Sequence, residues 1–412
     1  MIETNVCIVG AGPGGTAAAL TLSYSGISCM LIDKAFFPRD KVCGDAISGK
    51  VTTILNRIDP DIVRRFEKST RPQGIWGIRL VAPNHIPVDV PFKAHYDIAT
   101  EPTPGYASRR LDFDNFLVDE VRRRSDIDFK EGIFVQSIEK QQTGFLLKDE
   151  TGNLKVFTRL LIVANGAQSA FSRKYAGIEK EPAHYAGAVR AYFKNVHNFH
   201  PHGFIELHFL KDYIPGYFWA FPLPNGEANV GLGLRTDYIS RRKLNLKKEL
   251  LKIIKTEPAL KERFKNAELM GDIAGYPLPL GSKKYRISGD NFMLVGDAAH
   301  LIDPLTGEGI GNAIYSGWIA AEQAKTCFEK NDFSKEIMLA YDRRVARVLG
   351  AEMQLSYQLQ RLLTYPRLFN FFANRLHGSK KLMDILSRMY TDFELRKQLA
   401  SPLFWIKLVF SK

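Results

Sequence analysis

At 412 residues the chain exceeds the size at which one hydrophobic core keeps growing, so two domains and an appendage are expected. Its 45% hydrophobic and 25% charged composition is that of a soluble globular protein. A net charge of +13 calls for an anionic partner or a solvated basic surface. No nucleic-acid-binding motif accompanies it, so nucleic acid is not an expected partner.

The chain opens on a strand-like run, Val6-Cys-Ile-Val, and a glycine turn, Gly10-Ala-Gly12-Pro13-Gly14-Gly15. A helix over Pro13–Tyr24 follows, then a second buried run, Cys29-Met-Leu-Ile32, closed by Asp33. Each part suits a dinucleotide. Gly10 permits the tight turn, Gly12 lets the backbone approach a pyrophosphate, and Gly15 lets helix and strand pack closely. The helix aims its N-terminal N–H groups at the phosphates. Asp33, 18 residues after Gly15, can accept both hydroxyls of an adenosine ribose.

Residues 4–32 carry no charge, yet Glu3 stands where a signal peptide has its basic region, and Gly-Pro-Gly-Gly interrupts the run. A cytoplasmic location is expected. The four cysteines, Cys7, Cys29, Cys43 and Cys327, form no paired motif and no metal-ligand spacing. Neither disulfides nor a metal site is expected, and the compartment should be reducing.

Farther along, an Arg- and Lys-rich helix precedes residue 70, and alternation at Ile75, Ile78, Leu80, Ile86, Val88 and Val90 predicts short strands. A helix is expected over about 111–124, then strands over 127–138 and 144–148 and a buried run into Asn165-Gly166. Residues 186–234 read as strands rich in aromatics, 241–267 as a very basic helical stretch, and 291–295 as another buried strand. Past residue 310 the pattern is helical almost to the end. The dinucleotide-binding domain is therefore discontinuous, with expected segments 1–71, 106–178 and 282–345. A strand-rich substrate domain is inserted at 72–105 and 179–281, and a helical region occupies 346–412.

A second half-site stands at Leu294-Val-Gly296-Asp297-Ala-Ala-His300, running on to Gly307-Glu-Gly309-Ile310-Gly311. A buried strand ending in Gly-Asp places a carboxylate for a polyol chain. The following glycines open a helix whose positive end, at Gly309 and Ile310, suits a flavin's pyrimidine carbonyl. Capping or orienting roles are the expectation for His300, Asp303 and Glu308.

Gly10–Gly15 with Asp33, then Arg110-Leu-Asp-Phe-Asp114, then Gly296-Asp297…Gly309-Ile-Gly311 resemble the flavin-binding signatures of the aromatic-hydroxylase-type flavoprotein superfamily. The resemblance covers most of residues 1–330, with the motifs in the expected order. It implies an α/β fold: a Rossmann-like FAD-binding domain with an inserted antiparallel-sheet substrate domain and C-terminal helices. It also implies bound FAD, with Asp33 on the ribose, Asp297 on the ribityl chain, Arg110 near the phosphates or flavin linker, and Val135 near the adenine. Pro13, Gly14 and Lys34 complete the expected contacts around the glycine turn. One signature departs from the pattern: Asn165 stands where the superfamily has Asp, keeping one acceptor without the charge.

Tyr217-Phe-Trp219-Ala-Phe221-Pro222, eight residues (223–230) and Gly231-Leu-Gly233 narrow the chemistry. On a strand Tyr217, Trp219 and Phe221 share one face and can wall a slot for an apolar chain. Pro222 and the two glycines are expected to let the backbone turn and approach the ring. The motif resembles the signature of the geranylgeranyl reductase family, as does Cys43-Gly44 in Phe36-Phe-Pro-Arg39-Asp-Lys41-Val-Cys43-Gly44-Asp45. The resemblance implies saturation of isoprenoid double bonds in a hydrophobic prenyl lipid or quinone. Reduced flavin N5 would act as hydride donor, and NAD(P)H or an electron-donor protein would reload it. Cys43 is the candidate proton donor or redox-sensitive gate at the reaction zone. The rivals are a flavin monooxygenase or halogenase on the same scaffold, and a non-catalytic flavin-bearing binder.

Residues 361–412 hold ten Lys or Arg against three Asp or Glu, with interspersed bulky apolar residues. Amphipathic helices are expected at 367–376, 380–390 and 402–409, either capping the body or lying on an anionic membrane surface.

Overall fold

The computed structural model describes residues 1–379 and 383–387. Its main sheet grows outward from Ile2–Val9, whose Val6, Cys7, Ile8 and Val9 are all buried, as parallel strands covered on both faces must be. This strand pairs in parallel with Lys155–Val163 on one side and Cys29–Ile32 on the other. Ile127–Lys130 and Phe292–Leu294 extend the two flanks, again in parallel. Helices Pro13–Tyr24 and Ile310–Lys330 pack against each other. Their backbones meet so closely that a Cβ on Gly317 would strike the Gly14 carbonyl. The two glycine-opened helices, far apart in sequence, thereby bring both half-sites to one end of the sheet.

A second sheet of seven strands has the order Glu268–Pro279, Tyr185–Lys194, Glu227–Arg235, Tyr217–Pro222, Ile205–His208, Gly77–Val81, Pro87–Pro91. Every pairing in it is antiparallel except that of Ile205–His208 with Gly77–Val81. Ala46–Ile47, Gly105–Ala107 and Gln73–Ile75 form a small third sheet beside them.

Three elements differ from the sequence expectation. The stretch 127–138 is two strands, Ile127–Lys130 in the main sheet and Val135–Gln141 in a hairpin with Gly144–Asp149. The chain bends between them at Gly132, in the left-handed region with φ +69°. The basic helix before residue 70 is two helices, Gly49–Ile58 and Ile62–Thr70, separated around Pro60. Glu268–Pro279 is a strand that the pattern does not announce. Its residues lie mostly exposed or half-buried at a sheet edge, so no apolar alternation marks it, and Gly271, Gly275 and Pro277 read as loop.

After residue 310 the chain is helical: Ile310–Lys330, Lys335–Val345, Ala351–Leu362 and Pro366–Leu376. The helix expected at 402–409 and most of that expected at 380–390 lie outside the described residues.

Candidate active site

The glycine turn is built for close approach. Gly10 sits at φ +107°, and a Cβ there would collide with the Ala164 carbonyl; one on Gly15 would collide with the Gly10 carbonyl. Gly14 is as tight, its Cβ position 2.6 Å from Val295 Cγ1. Gly12 and Pro13 start the helix with no side chain capping it, which leaves its first N–H groups to a ligand. Asp33 faces the turn: its Oδ2 accepts the Ala11 N–H at 2.6 Å and its Oδ1 the Ala35 N–H at 2.8 Å. A carboxylate has about four lone-pair sites, so Asp33 keeps capacity for ribose hydroxyls. Lys34 is exposed, and Val135 is half-buried at the start of its strand.

Sequence reasoning missed two cations here. Arg39 lies over the turn, its Nη2 3.9 Å from the Cβ position of Gly12, and its Nη1 meets Asp114 Oδ2 at 2.5 Å. Arg110 grips the same carboxylate with both Nε and Nη2, at 2.6 and 2.7 Å. Burial works against the charge of Asp114, yet Arg110 and Arg39 override it and hold the carboxyl below its usual range. Lys41 then reaches Asp297, Nζ to Oδ2 at 3.2 Å. The signal was available in Arg39-Asp-Lys41 beside Cys43-Gly44, where two cations alternate along an exposed-looking loop.

Asp297 also lies against the second helix start: a Cβ on Gly309 would be 3.7 Å from its Oδ1. Gly309 caps Ile310–Lys330, and the Gly311 N–H is already held by Glu308 Oε1 at 2.7 Å. Gly309 and Ile310 are therefore the helix-start positions left to a ligand. His300 donates or accepts through Nε2 with the Tyr185 hydroxyl at 2.9 Å, and burial pushes it down to about 4, so it is neutral at neutral pH.

The aromatic strand packs against the loop that carries Arg39 and Lys41. Tyr217, Trp219 and Phe221 share a face, with ring centroids 6.3 and 6.4 Å apart in sequence order. The Cys43–Gly44 loop packs directly on it, the Gly44 Cβ position lying 3.0 Å from Phe221 Cε2 and 3.6 Å from Trp219 Nε1. The role expected for Gly231 and Gly233 is corrected by the structure. Both lie mid-strand, opposite Trp219 and Tyr217, and a Cβ on Gly231 would penetrate the Trp219 indole. They form a floor for Trp219; only Pro222 stands at a strand end. The Tyr217 hydroxyl donates to the Thr306 carbonyl, tying the wall to the Asp303–Gly309 loop.

Cys43 is half-buried, whereas Cys7, Cys29 and Cys327 are buried; all four are free thiols. Burial pushes the Cys43 thiol up, while the Arg110 guanidinium, the Asp45 backbone N–H and Lys41 pull the other way. Contacts thus join Asp33 and Arg39 to the glycine turn, Lys41 to Asp297, and the Cys43–Gly44 loop to the aromatic wall.

The sequence profile of the FAD binding domain family matches residues 3–342. A digeranylgeranylglycerophospholipid reductase of Thermoplasma volcanium is 30% identical over 347 residues, 83% of each chain. The chain belongs to the geranylgeranyl reductase family of FAD-binding flavoproteins. A menaquinone reductase of Mycobacterium tuberculosis is 29% identical over 401 residues, covering 95% of this reductase-family chain and 91% of that protein. Among solved structures, a geranylgeranyl bacteriochlorophyll reductase-like protein of Thermoplasma acidophilum superposes with a TM-score of 0.79 at 24% identity, over 99% of this chain and 98% of that one. A flavin-dependent brominase gives 0.76 at 22% identity, over 98% of each, and shares the fold. This flavoprotein is an FAD-dependent oxidoreductase.

Proposed function

We propose that this flavoprotein saturates isoprenoid double bonds in the side chain of a prenyl lipid or quinone. The observation that carries the reading is the seating of the Cys43–Gly44 loop against Trp219 and Phe221, on the face they share with Tyr217, which sets an apolar aromatic wall beside the flavin end of the site. The names of the related reductases support it.

The residues present fit FAD, because the helix Pro13–Tyr24 starts at Gly12 with no side-chain cap and Asp33 stands against that same turn with acceptor capacity to spare. Asp33 would hold the ribose, the first N–H groups of Pro13–Tyr24 with Arg39 the pyrophosphate, Asp297 and Lys41 the ribityl chain, and Gly309–Ile310 the pyrimidine carbonyl. When bound and reduced, FAD supplies hydride to one alkene carbon. The chain supplies orientation, a dry apolar wall and a proton. An unactivated alkene accepts hydride poorly, so its second carbon needs an acid within reach. Cys43 keeps its proton near neutrality because burial raises its pKa. On donating, it leaves a thiolate faced by Arg110 and Lys41. NAD(P)H or an electron-donor protein would reload the cofactor.

We read residues 1–71, 106–178 and 282–345 as the flavin domain and 72–105 with 179–281 as the substrate domain. The protein works in the cytoplasm, at the membrane surface. No described helix is long and apolar enough to cross a membrane. Pro366–Leu376 instead presents Leu368 and Phe371, 37% and 49% exposed, beside Arg367, a pattern suited to an anionic interface.

The test is an anaerobic single turnover: chemically reduced enzyme is mixed with a prenyl quinone and the product is weighed by mass spectrometry. A gain of two hydrogens per reduced flavin, located in the side-chain fragment and not in the quinone ring, without oxygen, is the expected result. Product that forms only with oxygen would mark a hydroxylase or halogenase, and no turnover with any prenyl acceptor would mark a flavin-bearing binder.

A further inference from the structure

Behind the Cys43 loop lies a buried polar network that the flavin reading leaves unused. Asn229, fully buried on Glu227–Arg235, spends every polar atom: its Oδ1 accepts the Trp219 Nε1–H at 2.8 Å, and its Nδ2 donates to the Cys43 carbonyl at 2.8 Å and to Asp45 Oδ2 at 2.7 Å. The same Asp45 oxygen accepts the Tyr192 hydroxyl at 2.7 Å. Asp45 is itself fully buried, and its Oδ1 has no hydrogen-bond partner among the described residues. A buried carboxyl left half-satisfied is costly, so fold stability alone does not account for it.

We propose that Asp45 and Asn229 are positioning residues of the reductase site: together they clamp the Cys43 loop onto the Trp219 wall and so set where the thiol meets the alkene. The inference rests on the prenyl-reductase reading for its chemistry, though not for its geometry. One amide holds the wall and the loop at once, so any shift of Asn229 moves Trp219 relative to Cys43. Asp45 fixes that amide from behind, two residues along the chain from the Cys43 thiol. Around it stand Tyr192 and Arg190 from Tyr185–Lys194, Asn229 from Glu227–Arg235, Arg110 from Arg110–Arg122, and Cys43 itself. Arg190 lies 4.1 Å over the Tyr192 ring and pairs with Asp40 at 2.5 Å. Burial pushes the Asp45 carboxyl up to about 6, against the hydrogen bonds of Tyr192 and Asn229. The charge beside Cys43 therefore changes close to neutral pH.

The test uses the flavin-loaded full chain. Asn229→Ala and Asp45→Ala should keep stoichiometric flavin absorbance but slow anaerobic transfer to a prenyl quinone about tenfold or more. Asp45→Asn keeps the acceptor without the charge and should restore transfer to within a few-fold. Independently of activity, Cys43 is titrated by iodoacetamide alkylation with site-resolved mass spectrometry. Its apparent pKa should fall in Asp45→Asn, because a neighbouring carboxylate is gone. If Asp45→Ala loses flavin, Asn229→Ala and Asp45→Asn decide the matter. Unchanged alkylation profiles in both would overturn the proposal. A wild type that reduces no prenyl acceptor would sink the prenyl-reductase reading instead, while the thiol titration still judges Asp45.

Discussion

Replacing Gly231 by valine drives a branched side chain into the space of the Trp219 indole. The indole is only 7% exposed and its Nε1 is held by Asn229, so it cannot swing away without breaking a buried hydrogen bond. Overpacking of this kind costs about 1–3 kcal/mol. We expect Gly231→Val to purify with flavin, to denature at lower urea concentration, and to lose most prenyl-chain saturation; unchanged turnover would show that Trp219 does not shape the slot. Lys41 makes a contrasting case. Its Nζ touches Asp297 at 3.2 Å on a partly exposed surface, and it also lies 5.0 Å over the Tyr276 ring. Lys41→Ala should leave the fold intact and weaken FAD retention about tenfold, more so at low salt, as equilibrium dialysis would read it. Retention equal to wild type would remove Lys41 from the cofactor's surroundings.

At the scale of elements, the helix Pro366–Leu376 faces two ways. Phe369 packs edge-on against Phe209 at 4.9 Å, and Ala373 is buried against Val88 and Val90. Tyr365, Leu368 and Phe371 point outward, exposed by 63%, 37% and 49%. Of the two alternatives that the sequence left open, the cap on the body describes the inner side of this helix, and we propose that the exposed side is the interfacial surface. Leu368→Glu with Phe371→Glu should abolish flotation with anionic liposomes while sparing single turnover on a short, detergent-dispersed prenyl quinone. Co-flotation as strong as wild type would place membrane contact elsewhere. Elements with a strong local code were legible: the glycine turn, the buried strand ends at Asp33 and Asp297, and the aromatic strand all announce themselves in their own residues. The edge strand Glu268–Pro279 was not, because its mostly exposed or half-buried residues carry no apolar alternation. Arg39, Lys41 and Asn229 were missed for a related reason. Their roles depend on partners 75 to 256 residues away in sequence, and single charged or amide residues carry no period.

For the whole molecule, two buried titrations oppose each other. Burial pushes Asp45 up to about 6, so between its ordinary carboxyl range and pH 6 the folded state binds the extra proton, and stability falls as pH rises. Burial pushes His300 down to about 4, so between that value and 6.5 the unfolded state binds the extra proton, and stability rises with pH. The shifts are of similar size and opposite sign over nearly the same window. Wild-type thermal stability should therefore stay nearly flat between about pH 4 and 6 as far as these two groups decide it. Removing one exposes the other. His300→Gln should turn the profile downward with rising pH in that window, and Asp45→Asn should turn it upward, in differential scanning calorimetry of flavin-loaded protein. Parallel profiles for wild type and both variants would mean that neither group keeps its shifted titration in solution.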